Sequence, residues 1–211
     1  MRMIILMVGP QGSGKGTQGQ RLAAELGMPF VSAGELLREE IATGSELGKE
    51  IKAIIDPGNM VPPKAIAGLF DRRLERDDAK RGLIIDSYPR NLDQLEILQP
   101  NLVPDVVIVL DISDDVGVER LGGRFQCPEG HIWNMRTNPP QKEGVCDFDG
   151  ASLFQRDDET EAAIRRRLTL YHEWTEPMIA RMQERGLRVE RVDATGSIDD
   201  VYQSVRALIP A

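Results

Sequence analysis

The chain has 211 residues, of which 41% are hydrophobic and 28% charged, and a formal net charge of −8; this is ordinary globular composition with room for one well-buried core. The negative balance disfavours a nucleic-acid coat or a membrane-surface protein, because phosphate backbones and anionic lipids repel such a molecule overall. The two cysteines, Cys127 and Cys146, are too few for a disulfide framework, and no stretch is long and apolar enough to span a bilayer, so the expected compartment is the cytoplasm.

Apolar runs of strand length alternate with helical patterns along the chain. Ile4–Val8 predicts a buried strand, and because Gly9 and Pro10 follow at once it does not read as a signal peptide. A helix is predicted over Lys15–Leu26 with Gly27 as its stop, then a weak strand at Phe30–Val31 and a helix over Pro63–Asp77. Strands at Leu83–Asp86 and Val106–Leu110 follow, then a helix over Asp114–Leu121. Beyond the irregular stretch from residue 123 to about 158, rich in Gly, Pro, Asn and Asp, one long helix is predicted over Glu159–Gln183, stopped by Gly186. A strand at Val189–Val192 and a helix over Ile198–Leu208 complete the pattern. Such alternation predicts an α/β fold with a five-stranded parallel sheet flanked by helices.

The first strand runs into Gly9-Pro10-Gln11-Gly12-Ser13-Gly14-Lys15-Gly16-Thr17. Strand, glycine-rich turn, lysine and helix together make a P-loop: glycines let backbone N–H groups turn inward onto phosphate oxygens, and Lys15 adds a mobile positive charge. The usual Ser or Thr directly after the lysine is displaced by Gly16, with Thr17 next. Asp86, at the end of an apolar strand, is placed to hold the hydration shell of a magnesium ion. P-loops serve GTPases, ATPases and kinases alike. No guanine-reading Asn-Lys-x-Asp occurs, and the Asp-x-x-Gly at Asp147–Gly150 lies in the irregular stretch, which disfavours a GTPase.

Taken in order, Gly9–Thr17, Ser32-Ala33-Gly34-Glu35-Leu36-Leu37-Arg38, Asp86-Ser87-Tyr88-Pro89-Arg90, Asn138-Pro139-Pro140 and the arginines Arg120, Arg124, Arg156 and Arg167 resemble the adenylate kinase family across essentially the whole chain. The resemblance implies a P-loop core of residues 1–31, 62–122 and 160–211, a helical monophosphate-binding segment of residues 32–61, and a small β-rich lid of residues 123–159. It implies ATP with Mg2+ held by Gly12, Ser13, Gly14, Lys15, Gly16 and Thr17, with Asp86 on the metal through water. Lys15, Arg90, Arg124, Arg156 and Arg167 would contact the reacting phosphates, oriented in the lid by Asp158. Arg38 and Arg90 would grip the acceptor phosphate, and Arg120 would lie against the ATP base. Positive groups around a migrating phosphoryl make sense without the family, because its transition state spreads charge over three oxygens. A monomer is implied by resemblance alone.

Metal-bearing members of the family resemble this chain at Cys127, three residues after Arg124. Cys146 and Asp149 form a second pair at a two-residue gap, while His131 stands one step beyond the usual second cysteine, where the chain has Gly130. A Cys127-His131-Cys146-Asp149 zinc site is chemically reasonable and would hold together a lid with little core; the alternative is a metal-free lid with two buried thiols. His172 reads as structural.

For the acceptor, the family pattern places Ala33, Val61, Ser87 and Gln94 near the base, with Arg156 and Arg167 also reaching the substrate. AMP is favoured through Gln94 and the full-length lid. Ala33, where adenylate kinases typically carry Thr, and Asn91 also resemble UMP/CMP kinases. A nucleotide sensor without turnover would be expected to lack Lys15, Arg90 or a lid arginine, and none is missing.

Overall fold

The computed structural model describes residues 2–55, 61–136, 138–155 and 160–210. Five strands, β1 (Met3–Val8), β2 (Phe30–Ser32), β3 (Gly82–Asp86), β4 (Val106–Asp111) and, late in the chain, Val189–Asp193, form one sheet. With β5 (Arg124–Gln126) and β6 (Ile132–Asn134) numbered in chain order, the last is β7, and the sheet order is β2-β3-β1-β4-β7 with every pair parallel.

Period two explains the core. Ile4, Leu6 and Val8 of β1 project to one face, with Leu83, Ile85, Val107 and Val109, and Ile5 and Met7 project to the other with Ile84, Ile108 and Leu110. Both faces are covered, which is why these strands read as continuous apolar runs and not as alternating ones. The second face is closed by α1 (Lys15–Leu26) and the last helix, Ile198–Ala207, through Leu22, Val201, Tyr202 and Val205. The first is closed by α4 (Pro63–Leu74) and Glu176–Glu184 through Phe70, Met178, Ile179 and Met182.

Two of the remaining helices, α2 (Ala33–Ala42) and α3 (Glu46–Ile55), pack so closely that a Cβ on Gly48 would stand 2.3 Å from the Glu40 carbonyl oxygen. Short α5 (Leu92–Glu96) follows β3, and α6 (Asp114–Gly122) follows β4. The helix over Pro63–Asp77 stops at Leu74, and a 3-10 turn, Asp77–Arg81, leads into β3. The long helix expected over Glu159–Gln183 is three pieces: α7 (Glu161–Leu170), a π turn (Tyr171–Thr175) and α8 (Glu176–Glu184), leaving Ile198–Ala207 as α9. Gly27 and Gly186 end their helices as expected, at φ of 61° and 78°, with Met28 and Leu187 N–H groups reaching back to the carbonyls of Ala23 and Met182.

From Arg124 to Gln155 the described chain is irregular around the antiparallel pair β5–β6, extended by bridges between Gln126 and Phe154, Asn134 and Asn138, and Val145 and Ser152. Its buried apolar cluster is formed by Cys127, Trp133 and Cys146.

Candidate active site

The carboxyl ends of β1, β2 and β3 bring the P-loop, Ser32–Ala33 and Asp86–Arg90 to one edge of the sheet, the edge where parallel α/β sheets bind ligands. Gly12 and Gly14 adopt φ of 84° and 90°, a left-handed backbone that suits glycine. Gly12 also lies where a Cβ would approach the Gly117 carbonyl oxygen of α6 to 2.9 Å, so loop and helix are in backbone contact. At Gly16, by contrast, a Cβ would meet no protein atom within 4 Å; protein packing does not dictate that departure from the common P-loop pattern.

Lys15 is half-buried, and its Nζ donates to the carbonyls of Gly9 at 2.8 Å and Pro10 at 2.9 Å. Burial pushes its pKa down to about 8, opposed by the carboxylate of Asp86 and assisted by Arg90 and Arg124. Asp86, Arg90 and Arg124 therefore all act on the charge of Lys15. Asp86 accepts a hydrogen bond from Ser87 Oγ at 2.8 Å through Oδ1, and Ser87 itself sits at φ 59°. Arg90 keeps solvent access, yet surrounding protein holds its pKa below the ordinary guanidinium value, with Asp86 opposing and Arg167 adding to the shift. Arg167, from α7, donates to Gln11 Oε1 of the P-loop at 3.1 Å. A concentration of cations around one carboxylate is what a polyanionic ligand neutralises.

Arg120 lies over the loop, donating to the carbonyls of Gly12 at 3.4 Å and Thr195 at 3.2 Å. Ser13 is buried and Thr17 exposed. Of the residues expected to meet the acceptor, Ala33 and Val61 are buried, and Arg38 is exposed with Nη1 3.3 Å from the position of a Cβ on Gly34. Gln94 is buried with its Oε1 accepting from the Arg90 N–H at 2.7 Å. Asn91, whose presence resembled a pyrimidine kinase, caps α5: its Oδ1 accepts from Gln94 N–H at 2.9 Å. Arg156 and Asp158 lie outside the described residues.

Two contributors escaped the sequence reading. Gln11 is a side chain of the P-loop itself and could have been singled out there. Asn134 of β6 donates through Nδ2 to the Arg120 carbonyl at 2.8 Å and accepts from Arg136 N–H through Oδ1 at 2.9 Å, which fastens β6 to the end of α6; no local pattern signals that contact.

Cys127, His131, Cys146 and Asp149 converge, with one donor atom from each within 4.8 Å of all the others. Cys127 Sγ stands 3.0 Å from Asp149 Oδ2 and 3.3 Å from His131 Nδ1, and Cys146 Sγ lies 3.5 Å from the same nitrogen. A tetrahedral zinc ion with bonds of about 2.0–2.3 Å would separate its ligands by roughly 3.3–3.8 Å, so donor set and spacing fit. Trp133 Nε1 donates to Cys146 Sγ at 3.4 Å, supplying a second layer of orientation. Burial pushes the Cys127 thiol up, and the hydrogen bond from that thiol holds Asp149 below the usual carboxylate range.

Comparison with known proteins shows the family. The family model described as adenylate kinase matches residues 7–187. The chain belongs to the adenylate kinase family. It is 41% identical over 208 residues to an adenylate kinase of Methanococcoides burtonii, covering 96% of each chain. It is likewise 41% identical over 215 aligned residues to one of Thermodesulfovibrio yellowstonii, covering 99% of each. An adenylate kinase of Streptomyces coelicolor is 41% identical over 206 residues, covering 94% of each. The family spans the P-loop, the Asp86–Arg90 stretch and the whole segment that carries the four candidate metal ligands.

Proposed function

We propose that this protein is a magnesium-dependent phosphotransferase that moves the terminal phosphate of ATP onto AMP, reversibly, giving two ADP. The observation that carries the reading is the field shared by Lys15, Asp86, Arg90 and Arg124 at the carboxyl edge of the sheet, in a chain similar along its length to adenylate kinases.

In this reading the inward N–H groups of Gly12–Thr17 cradle the ATP phosphates, and Lys15 follows the transferred group. Arg90, Arg124, Arg156 and Arg167 neutralise charge on the equatorial oxygens, while Arg38 and Arg90 hold the acceptor phosphate. Arg120, already against the P-loop, borders the ATP base, and Asp158 orients the arginines of the lid. Asp86 suits the magnesium site: one oxygen is fixed by Ser87 and the other has no protein partner among the described residues, which matches an ion that keeps most of its water and needs one or two carboxylates. The ion, when bound, offsets charge between neighbouring phosphates.

Residues 32–61 serve as the acceptor-binding part and residues 123–159 as the lid, which closes to keep water from the phosphoryl group. Cys127, His131, Cys146 and Asp149 hold a structural zinc there, in place of the apolar core that this segment lacks. AMP is the acceptor: Ala33, Val61, Ser87 and Gln94 line its base. Of the two residues that resemble UMP/CMP kinases, Asn91 is engaged in capping α5, which leaves Ala33 as the remaining pointer to that acceptor class. The protein works as a cytoplasmic monomer; among the described residues no helix is long and apolar enough to cross a membrane.

A coupled assay with ATP and magnesium, offering AMP, UMP, CMP, GMP or no acceptor, tests this. Strong preference for AMP is expected. Preference for UMP or CMP would overturn the acceptor, and ATP loss without an acceptor would overturn the transferase reading altogether.

A further inference from the structure

The π turn at Tyr171–Thr175 has a local cause. Glu176 N–H reaches back five residues to the Tyr171 carbonyl, and Pro177 follows. Proline brings no N–H, and its ring crowds the carbonyl four residues earlier, here Glu173, so a wider turn relieves the contact. Single π turns set into α-helices concentrate at functional sites. This one carries Thr175 into the interior, where it is 5% exposed. A helical threonine ordinarily donates to a carbonyl three or four residues back. Thr175 Oγ1 instead donates to the carbonyl of Arg90, 85 residues away in sequence, at 3.0 Å.

Arg90 stands between β3 and α5, outside any helix or strand. Its N–H is held by Gln94 Oε1 and its carbonyl by Thr175 Oγ1. Both polar groups of its main chain are thus tied to side chains, one from α5 and one from the π turn. A long arginine side chain amplifies any shift of its Cα at the guanidinium, and phosphoryl transfer is sensitive to displacements of about 1 Å.

We propose that Thr175 is a positioning residue for Arg90: the π turn delivers a hydroxyl that fixes the Arg90 main chain and, through it, the aim of the guanidinium. The consequence for catalysis rests on the phosphotransferase reading above. Thr175→Val keeps the shape and removes the donor, whereas Thr175→Ser keeps the donor. In Thr175→Val, kcat should fall roughly tenfold with the KM for ATP within about twofold, and Thr175→Ser should stay within about twofold of the parent in both. In an Arg90→Lys background, which replaces the aimed group, Thr175→Val should cost less than about twofold. An unchanged kcat in folded Thr175→Val overturns the proposal, as does the same loss in both backgrounds, which would mark a merely structural threonine. If Thr175→Val does not fold, Thr175→Ala runs through the same cycle. Without any nucleotide, hydrogen exchange of the Arg90 amide should be roughly tenfold faster in Thr175→Val than in Thr175→Ser; equal exchange overturns the positioning claim even if the parent enzyme shows no transfer to AMP, a result that would sink the phosphotransferase reading instead.

Discussion

In β1, Ile5, Leu6, Met7 and Val8 are each at most 1% exposed, and strands pair with it on both sides. In β5, none of Arg124, Phe125 and Gln126 is fully buried, and the apolar interior around it is Cys127, Trp133 and Cys146. Each aliphatic side chain fully buried in the sheet contributes about 1.5–3 kcal/mol, so the core is held by area removed from water. The segment from Arg124 to Gln155 has little such area and gathers four metal-type ligands in its place. A part held by a few directional contacts can open locally while the sheet stays intact, a division that suits the proposed reading of this segment as a lid over the P-loop.

The comparison breaks most visibly at Gly82. Its φ is 123°, and a Cβ there would stand 1.7 Å from the Met3 carbonyl oxygen of the neighbouring strand. Gly82→Ala should therefore part β1 from β3, lowering stability by about 4 kcal/mol or more and the melting temperature by roughly 10 °C in a thermal scan, with much of the protein insoluble. Lys15→Met should cost about a thousandfold in kcat/KM while moving the melt by no more than about 2 °C, because among the described residues Lys15 bonds only the carbonyls and hydroxyl of its own loop. The parent kcat/KM for ATP should decline above pH 8, since the lysine is charged below its pKa of about 8 and loses its proton above it.

The segment should behave in the opposite way. Stripping metal with a chelator, or Cys146→Ser, should release about one equivalent of zinc by elemental analysis and open residues 124–155 to limited proteolysis, while the sheet keeps its melting transition. Activity should fall about tenfold. A segment equally resistant after stripping would mean that hydrogen bonds and Trp133 suffice.

The smallest effect lies where the π turn meets the start of α6. His172 Nε2 bonds Asp114 at 2.9 Å and Nδ1 faces Glu176 at 3.4 Å, and the bond to Asp114, with help from Glu176, raises its pKa despite partial burial. A raised folded-state pKa means stabilisation that is fully present below the unfolded value of about 6.5 and is lost as pH rises through the folded value. The side chain is 46% exposed, so His172→Gln should cost at most about 0.5 kcal/mol at pH 6 and nothing measurable at pH 9, by paired chemical denaturation.

Much of this was legible. Strands buried on both faces announce themselves as unbroken apolar runs, and Gly9, Gly12 and Gly14 of the P-loop sit where φ is above zero. Cys127, His131 and Cys146 could be grouped because the whole chain has only two cysteines and two histidines, and Asp149 joined them through its two-residue gap from Cys146. The π turn was not read, although Pro177 inside a helical pattern was a signal for it. Asn91, noted in the sequence for its resemblance to UMP/CMP kinases, caps α5 through the Gln94 N–H, a local role that the resemblance did not signal.

The order of residues by itself determined which segments form the five-stranded sheet, where a P-loop lies and which side chains have the chemistry for transfer and for metal, because these follow from local periodicity, backbone freedom and residue type. Only the tertiary structure decided that Lys15, Asp86, Arg90 and Arg124 share one field, that Asn134 fastens β6 to α6 and that Thr175 reaches the Arg90 carbonyl. Those are contacts between elements far apart in the chain, fixed by sheet order and helix packing and not by any neighbouring residue.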